Sequence, residues 1–421
     1  MSELHLAAAD SRRREISAWW SARWRGAAAD SPEPVAPAGG RDVRLDLFRG
    51  LALWFIFLNH VPGNAVSWLT VRNFGFSDAT EIFVFISGYT AALVYGKGMC
   101  QEGAIAAGAR ILKRAWQIYI AHVFLFVIYA ATVVFIAANA DNPQFITRTG
   151  IADFLGQPGF MFVQVLLLRF KPVNMDVLPM YIAVLVGFVP MLWLLLRRPH
   201  LTLLASAALY AVAHGHGWAF TSHSGRPWCF NPLAWQLLFV FGAWCALGGA
   251  ARLAGPMRSR AVTAGAIAYL VFALTIVTSW RVPALADAVP AWLCAWIYPI
   301  SKPNLDVLRL AHFLALAVLV VRVIAKDHPI LSSAAVRPLI RCGMHSLEIF
   351  CLGVVLSFLA HVVLVTLDGG VAMQVLVSAT GIAILIAAAS LIAWGGKIEN
   401  DELSQPAAAL RPLPVAATSL G

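Results

Sequence analysis

Long apolar stretches separated by short polar segments run through most of this 421-residue chain. About 20 apolar residues are needed for one helical crossing of a bilayer, and ten stretches approach that length. They cover residues 46–66, 79–96, 116–138, 177–196, 200–217, 231–251, 260–280, 305–325, 338–365 and 371–394. The pattern predicts an all-α polytopic membrane protein, a bundle of about ten transmembrane helices in one domain over residues 45–396.

The charge of the chain supports a membrane setting and predicts an orientation. Hydrophobic residues make up 60% of the chain and charged residues only 12%, about half the share usual in soluble domains. If the amino terminus is cytoplasmic, 22 of the 31 Lys and Arg residues lie in inner segments and 7 in outer ones. Because cytoplasmic loops hold most basic residues, we expect both termini inside. The same distribution argues against nucleic acid as a partner.

Polar segments flank the predicted membrane domain. Residues 1–44 are basic, and their WW and RRR stretches fit either a disordered cytoplasmic tail or an amphipathic piece on the anionic inner leaflet. We expect residues 397–421 to form an unstructured cytoplasmic tail. A short apolar piece at 160–168, bounded by Pro158 and Pro172, predicts a helix on or in the membrane surface rather than another span.

The six cysteines form no CxxC pair and show no metal-ligand spacing with histidine. Most of them lie inside apolar runs, which is typical of packing residues. Cys229 and Cys294 fall in loops on the same predicted side. The sequence therefore leaves a disulfide bridge between these two open.

Ionisable side chains in the first predicted span are candidates for function, because a charge at the bilayer centre costs about 2.5–3.5 kcal/mol. The stretch RLDLFRGLALWFIFLNH places Asp46 and Arg49 at its inner end and His60 eleven residues beyond Arg49. Eleven residues make about three helical turns, so Arg49 and His60 lie on nearly one face, about 16 Å apart. Pro62 and Gly63 would break the helix, so that a deeply placed His60 opens onto a cavity. A core histidine bonded to a neighbouring helix is the alternative.

Further candidates lie in the second, eighth and ninth spans, where they can converge with His60 at one depth. Glu81 is placed to orient His60 as a general base. In the eighth span, Asp306 and Arg309 either serve the site or neutralise one another. His345 and Glu348 have the offset of a metal-binding pair, but one His and one Glu cannot fill a four-ligand zinc shell, so we expect no metal.

Six stretches of the sequence together resemble the OpgC family: RLDLFRGLALWFIFLNH, SDATEIFVFISGY, LPMY, NPLAWQLLFVFG, SKPNLDVLRLAHFLALA and CGMHSLEIF. OpgC proteins are bacterial inner-membrane proteins implicated in succinylating osmoregulated periplasmic glucans, and they belong with the wider membrane acyltransferases of the acyltransferase family 3 type. The resemblance covers roughly residues 45–394. Arg49 and His60 fit the superfamily spacing, which implies that His60 is the catalytic histidine. FVFISGY resembles the FFxxSG element, which implies that Ser87 and Tyr89 lie near the site.

The resemblance and the buried charges together predict an acyl-CoA-dependent O-acyltransferase, a succinyltransferase. It would use succinyl-CoA or another acyl-CoA as donor substrate and a periplasmic β-glucan or other glycan as acceptor, with no permanently bound cofactor. A homo-oligomer in the bilayer is left open. The predicted catalytic residues are His60, Glu81, Arg49 and Asp46, and the predicted substrate-binding residues are Asn59, Ser87, Tyr89, Asn304, Asp306, Arg309, His345 and Glu348.

Two other classes of function stay open. A secondary transporter or flippase would use the buried His60, Glu81, Asp306 and Glu348 to relay protons or hold substrate. A scaffolding role leaves the cost of the buried charges without a reason. Stabilisation by coenzyme A would separate the enzyme from the transporter.

Overall fold

The computed structural model describes residues 42–140, 142–367 and 369–404, with side chains described as far as residue 395. Almost all of the predicted tail 1–44, and residues 405–421 of the predicted tail 397–421, lie outside these residues. Residues 397–404 were predicted to be unstructured but continue the last helix of the described chain. The described chain is α-helical and contains no β-strand. The prediction of an all-α protein is therefore confirmed for this part.

The helices follow the apolar runs closely. In chain order the α-helices of the described residues are α1 (Val43–His60), α2 (Ala79–Glu102), α3 (Ala104–Asn139), α4 (Gln144–Thr149), α5 (Ile151–Gly156), α6 (Pro158–Leu166), α7 (Val177–Arg197), α8 (Pro199–His216), α9 (Pro232–Trp244), α10 (Ala250–Arg258), α11 (Arg260–Ser279), α12 (Pro283–Asp287), α13 (Ala291–Ile297), α14 (Val307–Val323), α15 (Arg337–Met344), α16 (Ser346–Thr366) and α17 (Val371–Ser404). A π-helical segment, Cys245–Gly249, joins α9 to α10, and 3₁₀ helices cover Ala65–Leu69, Val71–Asn73 and Pro329–Ser332.

Seven helical stretches in the described residues are long and apolar enough to cross a membrane: α2, α3, α7, α9 continued through α10, α11, α16 and α17. The other three predicted spans contain α1, α8 and α14, with 18, 18 and 17 residues. Such helices are about 25 to 27 Å long, close to the thickness of the hydrocarbon core. A multi-pass membrane protein is thus established by length and composition, while the count of ten crossings and the orientation of the termini stay predictions.

Two predicted spans differ from the observed helices. The first apolar run extends to residue 66, but α1 ends at His60 because Val61 is extended, Pro62 follows and Gly63 has a φ of +72°. The ninth run is divided at His345, which has non-helical backbone angles between α15 and α16. Apolar length alone did not predict this division.

Close helix crossings hold the centre of the bundle together. At Gly50 of α1 an added Cβ atom would overlap the carbonyl oxygen of Leu339, and at Gly343 of α15 it would overlap that of Asp46. Gly88 of α2 and Gly242 of α9 are related in the same way. Small residues at such crossings let backbones approach closely. These two crossings fix α1 and α2, the helices that carry the predicted site, against their neighbours.

Candidate functional site

A cavity of about 1280 Å³ opens at the end of α1 that carries His60. Its walls come from the segment between α1 and α2, the segments before α7, α9 and α14, the residues that follow α11, and the start of α17. We call this end of the bundle the cavity end, and the region around the first turns of α1 the Arg49 end. The lining includes His60, Asn59, Asp78, Lys302 and Arg309.

His60 lies on the cavity wall as the last residue of α1. Its Nδ1 atom is buried and has no hydrogen-bond partner among the described residues. The charges of Lys302, Asp78 and Arg72 act on the ring. Because α1 ends at His60, the imidazole lies at one end of that helix, and the depth of His60 in the bilayer stays a prediction. The expected opening of His60 onto a cavity is found.

Side-chain hydrogen bonds hold the segment after His60 in place. The hydroxyl of the fully buried Thr70 lies 2.9 Å from Asn59 Oδ1 and 2.7 Å from the carbonyl oxygen of Ser67, and its one hydrogen is shared between these two acceptors. Asn64 Nδ2 donates to Ser378 Oγ of α17 at 3.0 Å. These bonds keep the cavity wall beside His60 in one conformation.

A buried ionic cluster stands beside His60. Asp78 caps α2 by accepting from Thr80 N at 2.8 Å, and Glu81 accepts from Asp78 N at 2.9 Å, which completes a capping box. Arg309 of α14 donates from Nε to Glu81 Oε1 at 2.8 Å and from Nη2 to Asp78 Oδ2 at 3.3 Å. Lys302 Nζ lies 2.5 Å from Asp78 Oδ2. Glu81 is fully buried, so its charge depends on Arg309 for compensation.

This cluster corrects two expected pairings. Glu81 was expected to orient His60, but its carboxylate binds Arg309 and the backbone of Asp78, while His60 Nδ1 has no partner. Asp306 was considered as the neutralising partner of Arg309, but Asp306 caps α14 through Leu308 N at 2.9 Å. Both corrections have one cause: α14 packs so that the guanidinium of Arg309 reaches across to the start of α2.

A buried histidine, His312, lies behind the cavity. His312 Nδ1 is 2.7 Å from Ser77 Oγ, and the ring packs against Gly75, where any Cβ would overlap it. Phe76 meets the ring edge to face. His312 therefore fixes the residues that lead into Asp78, and it acts as a positioning residue for the ionic cluster.

The segment before α7 contributes an acid and a base outside the membrane helices. Asp176 lines the cavity and accepts a hydrogen bond from the thiol of Cys229. Burial raises the pKa of Asp176 to about 6, although Lys171 beside it acts in the opposite direction. Burial lowers the pKa of Lys171 to about 8, and its ammonium lies 3.8 Å from the centre of the Trp228 ring. Cys229 and Cys294 are both free thiols, so the bridge that the sequence left open is not formed.

At the Arg49 end the groups are closely packed. Arg49 Nη2 donates to Thr90 Oγ1 at 2.7 Å, Nη1 lies 3.5 Å from the carbonyl oxygen of Gly343, and Asp46 lies 3.7 Å from the guanidinium. Asp46 is buried. Asp46 and Arg49, three residues apart on α1, thus form an ion pair. These groups join α1 to α2 and α15.

The remaining predicted residues fall into two places. Ser87 is buried on α2 and bonds the hydroxyl of Tyr181, while Tyr89 is half-buried toward the Arg49 end. Asn304 accepts from Asn231 Nδ2 at 3.2 Å near the cavity end. His345 and Glu348 follow α15 at the Arg49 end, so they do not share the depth of Glu81 and Arg309. Among the described side chains, no group of three His, Cys, Asp or Glu residues is placed to hold a metal ion.

Sequence reasoning missed three charged groups of the cavity wall: Lys302, Arg72 and Asp176. In the sequence, Lys302 and Arg72 served only as two of the basic residues in the predicted outer segments. Asp176 lies one residue before a predicted apolar span, so it was not counted among the buried charges. Irregular segments have no periodicity from which a shared face can be deduced. The one available signal was the position of Lys302 four residues before Asp306 in the stretch SKPNLD.

Comparison with known proteins gives one match. The family model described as "OpgC protein" matches residues 41–397. No curated protein and no solved structure matches this chain.

Proposed function

Because the chain belongs to the OpgC family, we propose that it is an integral membrane acyltransferase that moves a succinyl group from acyl-CoA to a hydroxyl of a periplasmic glucan or other glycan. The cavity end would face the periplasm of a bacterial inner membrane, in keeping with the excess of basic residues expected on the opposite side. A soluble thioester and a glucan cannot cross the bilayer, so the two substrates must meet inside the protein.

The observation that carries this proposal is the position of His60. The ring lies on the wall of a cavity of about 1280 Å³, larger than the roughly 300–1,000 Å³ typical of small-molecule sites. The side chain is partly exposed on that wall, and its buried Nδ1 makes no hydrogen bond with the described residues, so the ring is not tied to a neighbouring helix through that atom. A core histidine of purely structural use would be expected to bond a neighbouring helix instead.

The proposed reaction follows from this geometry. The glycan hydroxyl oxygen attacks the thioester carbonyl carbon while an imidazole nitrogen of His60 takes the hydroxyl proton, a contribution of roughly 10²- to 10⁴-fold. The new C–O bond forms, and the carbonyl electron pair moves onto its oxygen. When this intermediate collapses, the C–S bond breaks and the leaving sulfur takes the proton back from the imidazolium. His60 returns to its neutral form.

Neighbouring groups have separate proposed roles. Asn59 lines the cavity one residue before His60 and is the nearest candidate to stabilise the developing oxyanion. Arg49, about 16 Å away along α1, would hold the donor from the opposite end. Glu81 and Arg309 act as positioning residues, since they contact each other and the first turn of α2.

The test is turnover by the purified protein in detergent. Succinyl-CoA, acetyl-CoA or no donor is incubated with a β-glucan, and free thiol and acceptor mass are followed. We expect thiol release together with an added succinyl mass. His60→Ala should lower the rate at least 100-fold, while His214→Ala, an exposed histidine of α8, should not change it.

Two results would contradict the proposal. Full activity in His60→Ala at normal protein levels would exclude the base. No turnover with any donor, together with movement of glycan or protons by the protein in liposomes, would favour the transporter.

A further inference from the structure

The charges on the cavity wall are not balanced. Four cationic side chains line the cavity, Arg72, Arg281, Lys302 and Arg309, against two carboxylates, Asp78 and Asp176. Glu81 stands buried behind the wall and compensates Arg309. A cavity lined with an excess of one sign of charge concentrates ligands of the opposite sign.

Three of the four cations already have partners. Arg309 binds Glu81 and Asp78, and Lys302 binds Asp78. Arg281 donates to the carbonyl oxygen of Asn73 and lies 4.0 Å from the centre of the Trp68 ring. These contacts account for much of the positive charge on the wall.

Arg72 differs from them. It lies in the 3₁₀ helix Val71–Asn73, its side chain is exposed, and it makes no hydrogen bond or ion pair with the described residues. Its charge nevertheless acts on His60. Its helix is held in place from both sides, because Thr70 bonds Asn59 and Arg281 bonds Asn73. A positioned guanidinium without a protein partner is suited to bind a carboxylate in two-point fashion.

We propose that Arg72, assisted by the half-exposed Lys302, binds the free carboxylate of a dicarboxylic acyl group and so selects the donor. This inference rests on the proposed function. If the donor thioester reaches His60 from the Arg49 end, its sulfur points back along α1 and the far end of the acyl chain points into the cavity. The carboxylate of a succinyl group is at that far end, on the side of Arg72 and Lys302.

Selection by Arg72 has a clear physical basis. A guanidinium on the cavity wall favours the donor whose acyl group carries a carboxylate, because only that donor gains the charged hydrogen bond. Butyryl-CoA has the same number of acyl carbons as succinyl-CoA, with a methyl group in place of the carboxylate. The ratio of kcat/KM for these two donors therefore measures the interaction with the carboxylate.

The experiment compares this donor ratio in four proteins with a neutral β-glucan as acceptor: wild type, Arg72→Gln, Arg72→Lys and Arg226→Gln. Arg226 is an exposed arginine outside the cavity lining, so its replacement is matched in charge. We expect Arg72→Gln to lower the ratio roughly tenfold, from the loss of a charged hydrogen bond at an exposed position. Arg72→Lys should restore part of the ratio, and Arg226→Gln should leave it unchanged.

A second measurement does not depend on turnover. Succinate should raise the melting temperature of the wild-type protein more than butyrate does, and Arg72→Gln should remove that difference.

If the wild-type enzyme transfers succinyl groups and replacing Arg72 does not change the donor ratio, the inference is overturned and the proposed function stands. The inference would also be overturned if Arg72→Gln lowered activity only when a carboxylated glucan replaced the neutral one, because Arg72 would then bind the acceptor and not the donor. No transfer with any donor would instead contradict the proposed function, and the succinate measurement would still decide whether Arg72 binds a carboxylate.

Discussion

The two ends of α1 hold their polar groups in opposite ways. At the cavity end, His60 lies on an open wall, and the nearest fixed charges are held by partners on α2 and α14. At the Arg49 end, Arg49 is enclosed between α2 and α15, with Gly50 and Gly343 in backbone contact beside it. The cavity end is open to a ligand, while the groups of the Arg49 end pack closely against one another and join three helices.

This difference indicates how one helix can serve two substrates. A rigid crossing at the Arg49 end fixes the direction of α1, so that the position of His60 in the cavity is set about 16 Å away. Catalytic groups need placement within about 0.5 Å, and sites built on helices are more precise than sites on loops. The ionic cluster does the same for the start of α2. Variants at the two ends should therefore fail in different ways.

The largest effect should come from removing Arg309. Arg309→Met leaves Glu81, which is fully buried, without its cation, and Asp78 with Lys302 alone. Breaking a buried ion pair from one side costs about 3–5 kcal/mol, because a charge then remains uncompensated. Thermal unfolding in detergent should show a large fall in melting temperature. Adding Glu81→Gln to Arg309→Met should recover much of the loss.

The matched control is Arg322→Met on the same helix. Arg322 is exposed and bonds only surface groups near the start of α11, so its removal should cost about 1 kcal/mol or less. If Arg309→Met melted no lower than Arg322→Met, the ionic cluster would not support the cavity end.

The sequence predicted the helices better than it predicted their partners. Apolar length located helices in every predicted span, and Pro62 with Gly63 correctly marked the end of α1 as a break. The spacing of Asp46, Arg49 and His60 on one helix also held, because a helix fixes such offsets. These are local properties that neighbouring residues determine.

Contacts between distant segments could not be predicted in this way. Glu81 and Arg309 are 228 residues apart, and their pairing depends on how α14 packs against α2. Glu81 was therefore assigned to His60, the nearest titratable group in the preceding helix. Arg72 and Lys302 lie in irregular segments, where only the folded chain shows that they share a cavity wall with His60. The catalytic and binding roles assigned from the sequence, that of His60 among them, stay predictions.

An intermediate effect is expected at the Arg49 end from Gly343→Ala. The new Cβ would meet the backbone carbonyl of Asp46, which cannot move aside as a side chain can, so α1 and α15 must separate. Overpacking of this kind costs about 1–3 kcal/mol. Because α1 would tilt, acyl transfer should fall along with the melting temperature.

Gly187→Ala in α7 is the control for this change. No atom lies within 4 Å of the Cβ position at Gly187, so alanine should stabilise that helix slightly. The two glycine variants should thus shift the melting temperature in opposite directions. A shift of the same sign and size in both would mean that the crossing of α1 and α15 is not tight.

The smallest effect should come from Thr90→Val, which conserves shape and removes one of the two acceptors of Arg49 Nη2, leaving the carbonyl oxygen of Ile86. Asp46 and the carbonyl of Gly343 stay in place, so the stability cost should be about 1 kcal/mol. If Arg49 holds the donor, a less firmly placed guanidinium should raise the KM for succinyl-CoA several-fold. The ratio of kcat/KM for succinyl-CoA and butyryl-CoA should not change, because Arg72 selects between these donors.

The control is Thr132→Val, which loses only a hydrogen bond to the carbonyl oxygen of Ile128 in its own helix. A changed donor ratio in Thr90→Val would show that the two ends of α1 do not act separately.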